Sequence, residues 1–423
     1  MNRLRLVAAV VCIVFLSSLV LIPFANADWT MFLSDSSHNG VGTGKPALTP
    51  TLLWSYTTGN MVGSSPAVVG GIVYFGSSDD NVYALNAANG IQLWNYTAQA
   101  PVWSSPAVAN GVVYVGSDDG NIYALNAANG AKIWKYTTGD PVVSSPAVVN
   151  GVVFIGSEDG NIYALNAVNG AKLWNYTTGS DVDSSPAVAD GVVYIGSDNG
   201  YVYALNATNG NQLWNHPTGA YVWSSPAVAN GIVYVGSDND NVYAFNATNG
   251  LQLWYFPTGG DVGASPAVVG EIVYIGSDDW NVYALNATSG AKIWNYTANL
   301  YVGSSPAIVG GVIYIGSYDD NVYALNAKSG AKLWDYATDG QVASSPAVAG
   351  GVVYIGSFDG NVYALGALPT SSNSLFIVTG VMVVVVIVAV VVFLMFRKRL
   401  KTWPAKSSSS EEISPPISNI FYY

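Results

Sequence analysis

Cysteine is almost absent from this 423-residue chain, and charge is scarce. The single cysteine, Cys12, sits inside the N-terminal apolar run, so the body of the protein holds neither a disulfide nor a thiolate metal site. His38 and His216 are the only histidines, too few for a His-rich zinc site. Lys and Arg total 14 against 26 Asp and Glu, and a formal charge of −12 repels phosphate backbones, which excludes a nucleic-acid partner. Only 9% of the chain is charged, whereas 50% is hydrophobic and 45 positions are glycine.

The ends carry membrane signals. Residues 1–27 begin with Arg3 and Arg5, run apolar from Leu6 to Phe24 and close on Ala25-Asn26-Ala27, the pattern of a signal peptide cut before Asp28. The run exceeds a typical signal core, so an uncleaved anchor is the alternative. Leu375 to Phe396 is an uncharged stretch of 22 residues. As a helix it spans ~33 Å at ~1.5 Å per residue, which predicts a transmembrane segment. Arg397, Lys398, Arg399 and Lys401 follow directly and place residues 397–423 in the cytoplasm as a disordered tail, with the body outside the cell. Between positions 50 and 367 there are 22 acidic residues and six Lys, so the predicted outer domain is acidic.

That body is periodic. Trp54, Trp94, Trp134, Trp174, Trp214, Trp254, Trp294 and Trp334 recur every 40 residues, and so does the proline from Pro66 to Pro346. Within a unit, apolar alternation over 104–109, 112–116, 121–125 and 131–136 is broken by Asn110-Gly111, Asp119-Gly120 and Asn129-Gly130, which suit tight hairpin turns. A period near 40 with four strands per unit is a propeller signature. The first copy opens with a lone fourth strand, Leu52 to Tyr56, and the last stops after its third, Val362 to Leu365. Their pairing closes an all-β, eight-bladed β-propeller of four-stranded antiparallel blades over residues 50–367. Residues 28–49 are then an N-terminal extension, and 368–374 a linker to the span at 375–396.

Each unit also carries Ala-Leu-Asn-Ala-x-Asn/Thr/Ser-Gly-x-x-x-Trp, as in Ala124 to Gly130 followed by Trp134. This resembles the tryptophan-docking motif of the quinoprotein-type (PQQ-like) β-propellers, whose usual form has Asp and Thr where this chain often has Asn. Asp28-Trp29-Thr30-Met31-Phe32, with Asp35, His38 and Gly40, is similar to the opening of such domains. The resemblance covers about residues 28–366 and implies that each Trp docks on the next blade. It also raises the alternative of a PQQ- and calcium-dependent dehydrogenase. Against that stand the missing adjacent cysteine pair and the missing pocket loops, because every repeat keeps its 40 residues.

Eight matching copies supply an internal control: positions that differ between them are free of the blade's structural demands. The residues before each Ser-Ser/Ala-Ser-Pro vary most, from Gly63, Trp103 and Val143 to Asp183 and Trp223. Asp140, Asp181, Asp261, Tyr221 and Tyr301 vary in the same loops, and Tyr201, Trp280, Tyr318 and Phe358 near the acidic turns. These loops and turns share one face. Trp103, Asp140, Asp181, Asp183, Tyr221, Trp223, Trp280 and Tyr301 are the candidate ligand-binding residues, since aromatic platforms with carboxylates suit sugars, cationic groups or peptides, and neutral drift on an exposed rim is the alternative source of the same variation. The acidic turns, such as Asp118-Asp119 and Glu158-Asp159, read first as turn chemistry and second as calcium ligands. Sequons at Asn95, Asn175, Asn206, Asn246, Asn286 and Asn295 are candidate N-glycan sites, although Asn206, Asn246 and Asn286 occupy a motif position that Asn126 fills without one. His216 replaces a recurring aromatic and reads as a blade residue.

The expected protein is a single-pass, membrane-anchored propeller that binds a protein or glycan partner on its outer face and catalyses nothing, with no cofactor and no metal. The alternatives are the dehydrogenase and a structural envelope component.

Overall fold

Val, Ile and Tyr alternate within each repeat, and the Asn-Gly and Gly-Gly pairs between strands take the positive φ that two-residue hairpins require, as at Asn110 (51°) and Gly111 (76°). The computed structural model describes residues 28–366; the leader, the linker, the predicted span at 375–396 and the tail lie outside the described residues. Among the described residues no helix is long and apolar enough to cross a membrane. The 32 strands form eight four-stranded antiparallel sheets, the blades of a propeller. Blade 2 is typical, with Ala107–Ala109 innermost, then Val112–Ser117, Asn121–Asn126 and Lys132–Thr137 at the rim. Blades 1 and 3 to 7 begin at Ala67, Ala147, Ala187, Ala227, Ala267 and Ala307.

The expected closure is present. Leu52–Thr57 pairs antiparallel with Asn361–Gly366, opposing Trp54 to Ala364 and Tyr56 to Val362, so blade 8 takes strands from both ends of the propeller. The innermost strand is shorter than the sequence suggests. Ser104 to Pro106 stay outside it, since Pro106 has no N–H to give a ladder and the serines bond elsewhere. The Ser65 amide donates to Ser105 Oγ at 2.9 Å, Ser105 to Ser145 Oγ at 2.9 Å, and so on around the ring until Ser345 donates to Ser65 Oγ at 2.9 Å. This unbroken belt explains why that serine recurs in every copy.

Apolar packing lies between blades. Tyr74, Val82, Ala84 and Trp94 of blade 1 bury against Val113, Val115, Tyr123 and Leu125 of blade 2. The Trp94 indole N–H donates to Ala127 O at 2.9 Å and its ring lies over Gly130, where a Cβ would come within 2.7 Å of Cε3. Glycine is needed there for the close approach as well as for its φ of 70°. Trp334 donates instead to Ala47 O at 3.0 Å, so the N-terminal segment supplies the turn that blade 8 would otherwise give.

The same segment closes the channel at one end. Backbone amides of Val68, Val108, Val188, Val228, Val268 and Ile308, on six innermost strands, donate to carbonyls of Trp29, Thr30, Ser36, Ser37, Asn39 and Gly40. Trp29, Leu33 and His38 are buried by it. Gly40 (φ 67°) passes so close to Ala267 that a Cβ would sit 2.5 Å from that residue's own. The segment skips the Val148 strand of blade 3, and beside Ser36 and Ser37 a cavity of about 760 Å³ opens.

Candidate functional site: the acidic mouth

Antiparallel meanders sort their turns by face. The first and third turns of every blade emerge on the side of the N-terminal segment, here called the base. The second-to-third-strand turns and the interblade loops emerge on the opposite side, the mouth, held together by bonds such as Ser78 N to Met61 O at 3.0 Å. Charge follows that division. Of the 22 acidic residues between 50 and 367, the mouth turns carry 14 and the interblade loops five, and no Lys, Arg or His accompanies them.

The acidic turns contain two kinds of carboxylate. The second residue belongs to the turn itself: Asp119 Oδ2 accepts the Tyr123 hydroxyl at 2.6 Å and the Gln99 amide at 3.0 Å, and Oδ1 accepts the Asn121 amide at 3.0 Å. Asp79, Asp159, Asp279, Asp319 and Asp359 accept the same tyrosine bond. Although burial opposes ionisation, these bonds hold the Asp119 carboxyl below its ordinary range.

The first residue behaves in the opposite way. Asp118, Glu158, Asp198, Asp238 and Asp278 gather around the mouth, and Asp183 joins them from the interblade loop. Burial, reinforced by Asp198, Glu158, Asp181 and Asp118, pushes Asp183 up to about 7. Burial and neighbouring aspartates raise Asp118, Asp238 and Asp278 to about 6. One oxygen each of Asp118, Asp183, Asp198 and Asp238 is buried without a hydrogen-bond partner. These carboxylates lack the cationic partners that usually accompany buried charge.

Aromatic rings cluster on the remaining arc, and one further pair stands within the acidic one. Phe358 of blade 8 meets Trp103 edge-on at 6.1 Å and Tyr318 of blade 7 at 6.2 Å, and Tyr318 meets Tyr301 at 6.3 Å. Gly63 makes room, because a Cβ there would lie 2.6 Å from the Trp103 ring. Tyr221 and Trp223 stack at 6.3 Å, and Trp223 donates its indole N–H to Asp198 Oδ2 at 3.0 Å.

Of the eight candidates, Trp103, Asp183, Tyr221, Trp223 and Tyr301 thus lie with this constellation, and Asp181 adds its field to Asp183. Asp140 is exposed, its carbonyl taken by Thr138 Oγ1 at 2.8 Å. Trp280 stands farther out, holding a turn position at φ 75° with its carbonyl bonded to the Ala298 amide. The first-position carboxylates and the pair Tyr318 and Phe358 belong to the site and are missing from the sequence-based set. Their signal is in the repeats: the first turn residue changes from Ser78 through Asp118 and Glu158 to Tyr318 and Phe358, while the second stays Asp or Asn. His216 packs as a blade residue against Phe245, the rings tilted with centroids 4.7 Å apart. Asn206 Oδ1 accepts the Thr208 amide at 2.9 Å, the same turn bond Asn126 makes to Ala128.

PQQ is a tricarboxylic acid, and at this mouth it would meet crowded carboxylates and no basic side chain. Among the described residues no three His, Cys, Asp or Glu side chains are grouped to hold a metal ion. The residues present do not fit that cofactor.

The family described as outer membrane protein assembly factor BamB matches residues 46–182, 100–221, 177–300 and 281–369. No curated protein matches. Among solved structures, BamB from Moraxella catarrhalis is 22% identical with a TM-score of 0.66, covering 75% of this chain and 99% of that one. A europium-containing methanol dehydrogenase is 15% identical with a TM-score of 0.71, covering 81% and 98%. The computationally designed Ika8 protein is 18% identical with a TM-score of 0.67, covering 75% and 99%. An assembly factor, an enzyme and a designed chain share this fold, so the likeness carries the architecture and no activity.

Proposed function

Because the chain belongs to the family described as outer membrane protein assembly factor BamB, we propose that it is a non-catalytic binding scaffold, held in the membrane by residues 375–396 with the propeller outside the cell. Its ligand is a basic segment of a partner protein seated on the mouth. The observation that carries this reading is the division of the mouth, with carboxylates that lack a cationic partner on blades 2 to 6, an aromatic cluster from blades 7, 8 and 2, and the pair Tyr221 and Trp223 set within the acidic arc. A lysine or arginine side chain satisfies both arcs, pairing with a carboxylate whose burial is otherwise uncompensated and lying against an aromatic face. Such a ligand also releases the protons that crowding retains on Asp183 and its neighbours.

The test is titration of the detergent-solubilised full chain with a fluorescent octalysine peptide. Binding is expected, and octaglutamate should show none. The triple change Asp118→Asn, Asp183→Asn, Asp198→Asn should weaken octalysine binding at least tenfold. Neutralising Asp190, Glu271 and Asp335 away from the mouth should change it little, despite the same loss of net charge. Equal effects of the two triple variants would reduce the attraction to general acidity and refute the site.

A further inference from the structure

The face opposite the mouth has the reverse chemistry. Lys132, Lys172, Lys292, Lys328 and Lys332 all lie at or just after the third turn of their blades, and Lys45 lies beside the first turn of blade 8. Against them the base has Asp28, Asp35, Asp190 and Glu271, besides the Asp335 that Lys332 pairs. The one ion pair among the described residues is Lys332 with Asp335 at 2.9 Å, so the other base lysines are unpaired. Between them stand exposed aliphatic side chains: Val168 is 79% exposed, and Leu48, Ile91 and Leu251 exceed 60%. Acidic residues dominate one face and lysines with bare aliphatics the other, which gives the domain a strong charge polarity along the channel axis.

The chain also enters and leaves on that lysine face. Asp28 Oδ1 accepts the amide of Gly70, in the first turn of blade 1. The last described strand, Asn361–Gly366, runs from mouth to base. Eight residues, 367–374, separate its end from the apolar run at Leu375. Fully extended they reach at most ~29 Å at ~3.6 Å per residue. A six-residue strand is ~20 Å long, so carrying the chain back past a blade would consume most of that reach. An uncleaved leader would attach at the same face.

From these two independent observations we propose that the base is a membrane-docking surface: the propeller sits with its lysines among anionic lipid headgroups and its aliphatic turn residues at the interface, and holds the acidic mouth away from the bilayer. Lysines near an anionic surface are attracted within about a Debye length, and small exposed apolar groups enter the headgroup layer. The same surface repels the mouth. Sequons at Asn206, Asn246 and Asn286, which open the third turns, would lie against the headgroups and stay unmodified.

This inference rests on the proposed anchoring by residues 375–396, and the test separates the two. The full chain carrying Cys12→Ser is reconstituted in nanodiscs of phosphatidylcholine with or without phosphatidylserine, and a single fluorophore is placed at Val168→Cys on the base or Asp339→Cys on the mouth. With headgroup-nitroxide lipid present, the Val168→Cys label should be quenched and the Asp339→Cys label should not. Phosphatidylserine should deepen the quenching at Val168→Cys. Adding Lys132→Glu, Lys172→Glu and Lys292→Glu should lower it to the mouth level without moving the melting temperature, because none of the three has an ion-pair partner to lose. Equal quenching at the two labels, or quenching indifferent to both lipid charge and the lysines, overturns the docking. Carbonate extraction of the membrane-bound chain reads the anchor: release overturns the anchoring and the docking together, whereas retention with equal quenching overturns the docking alone.

Discussion

Lowering the pH should loosen the N-terminal segment through one side chain. His38 is 1% exposed, its Nδ1 lies 3.2 Å from Pro226 O, and its ring meets Phe32 edge-on at 5.4 Å. Burial lowers its pKa from 6.5 to about 4, an effect that the nearby Asp35 carboxylate and the Pro226 carbonyl only partly offset. The unfolded chain therefore binds a proton that the native chain refuses between those two values. Stability from this site is fully present above the unfolded value and is lost as pH falls towards the folded one. Between about pH 7.5 and about pH 5 the loss amounts to about 2 kcal/mol. His38→Gln removes the titration and keeps a polar group of similar size near the Pro226 carbonyl. Urea midpoints of the two chains, measured across that range, should diverge by the equivalent of this energy, with the wild type becoming relatively weaker at the acid end. The mouth carboxylates titrate in both chains and cancel in the difference. A flat difference would show that His38 is solvated or charged in the native state, and the account of a buried segment sealing the base would fail.

Two further outcomes follow from the ring and the mouth. Trp54→Ala and Trp214→Ala should each cost ~3–5 kcal/mol and by the same amount, because Trp54 donates to Ala87 O at 2.9 Å across the closure as Trp214 does to Ala247 O at 2.9 Å within the array; a much smaller effect at Trp54 in urea melts would mean that the closing strand frays. Asp183→Asn should raise the melting temperature relative to wild type increasingly from about pH 4 to about pH 7 and by a constant amount above that, since the native carboxyl keeps its proton over that window while the unfolded one has lost it; a constant offset from acid to alkaline pH would remove the burial and crowding of this carboxyl from the explanation.

The propeller was legible because its signals are local and repeated eight times. A tryptophan every 40 residues, a glycine four positions before it and a hairpin pair near each edge leave one closed solution, and the unmatched strands at Leu52 and Val362 show how it shuts. The innermost strand was overestimated because Ser-Ser-Pro looks like strand flank, while its serines bond sideways to the next blade, a contact between residues 40 apart that no local pattern reveals. The N-terminal segment was legible only as an extension. Its bonds go to carbonyl and amide groups of six different blades, and its positive φ at Leu33 and His38 is imposed by that setting and not by its residue types. At the mouth, variation among copies picked out loops and turns that share one face. It did not divide the two aspartates of each acidic turn, because Asp118 and Asp119 are identical in composition and differ only in direction, one towards its own turn and one towards the carboxylates of other blades.

An eight-fold ring has no preferred azimuth, so whatever binds it in one way must find the places where the copies disagree. Here the disagreement is ordered. The first turn residue is Ser78 in blade 1, acidic from Asp118 to Asp278 in blades 2 to 6, and aromatic at Tyr318 and Phe358 in blades 7 and 8. Independent drift at eight equivalent positions would scatter these types around the ring; instead the carboxylates occupy consecutive blades, where mutual repulsion adds to the burial that raises their pKa values. Spreading them would relieve that repulsion at no cost to the fold, since the position tolerates Ser, Asp, Glu, Tyr and Phe alike. The retained strain is intelligible if a positive ligand relieves it, and an arc of five consecutive blades suits an extended chain laid across the mouth better than a single ion on its axis. The structural demands on the repeat are met by the tryptophan, the glycine beneath it and the serine belt, which leaves the mouth free to carry a pattern with one-fold symmetry on a scaffold with eight.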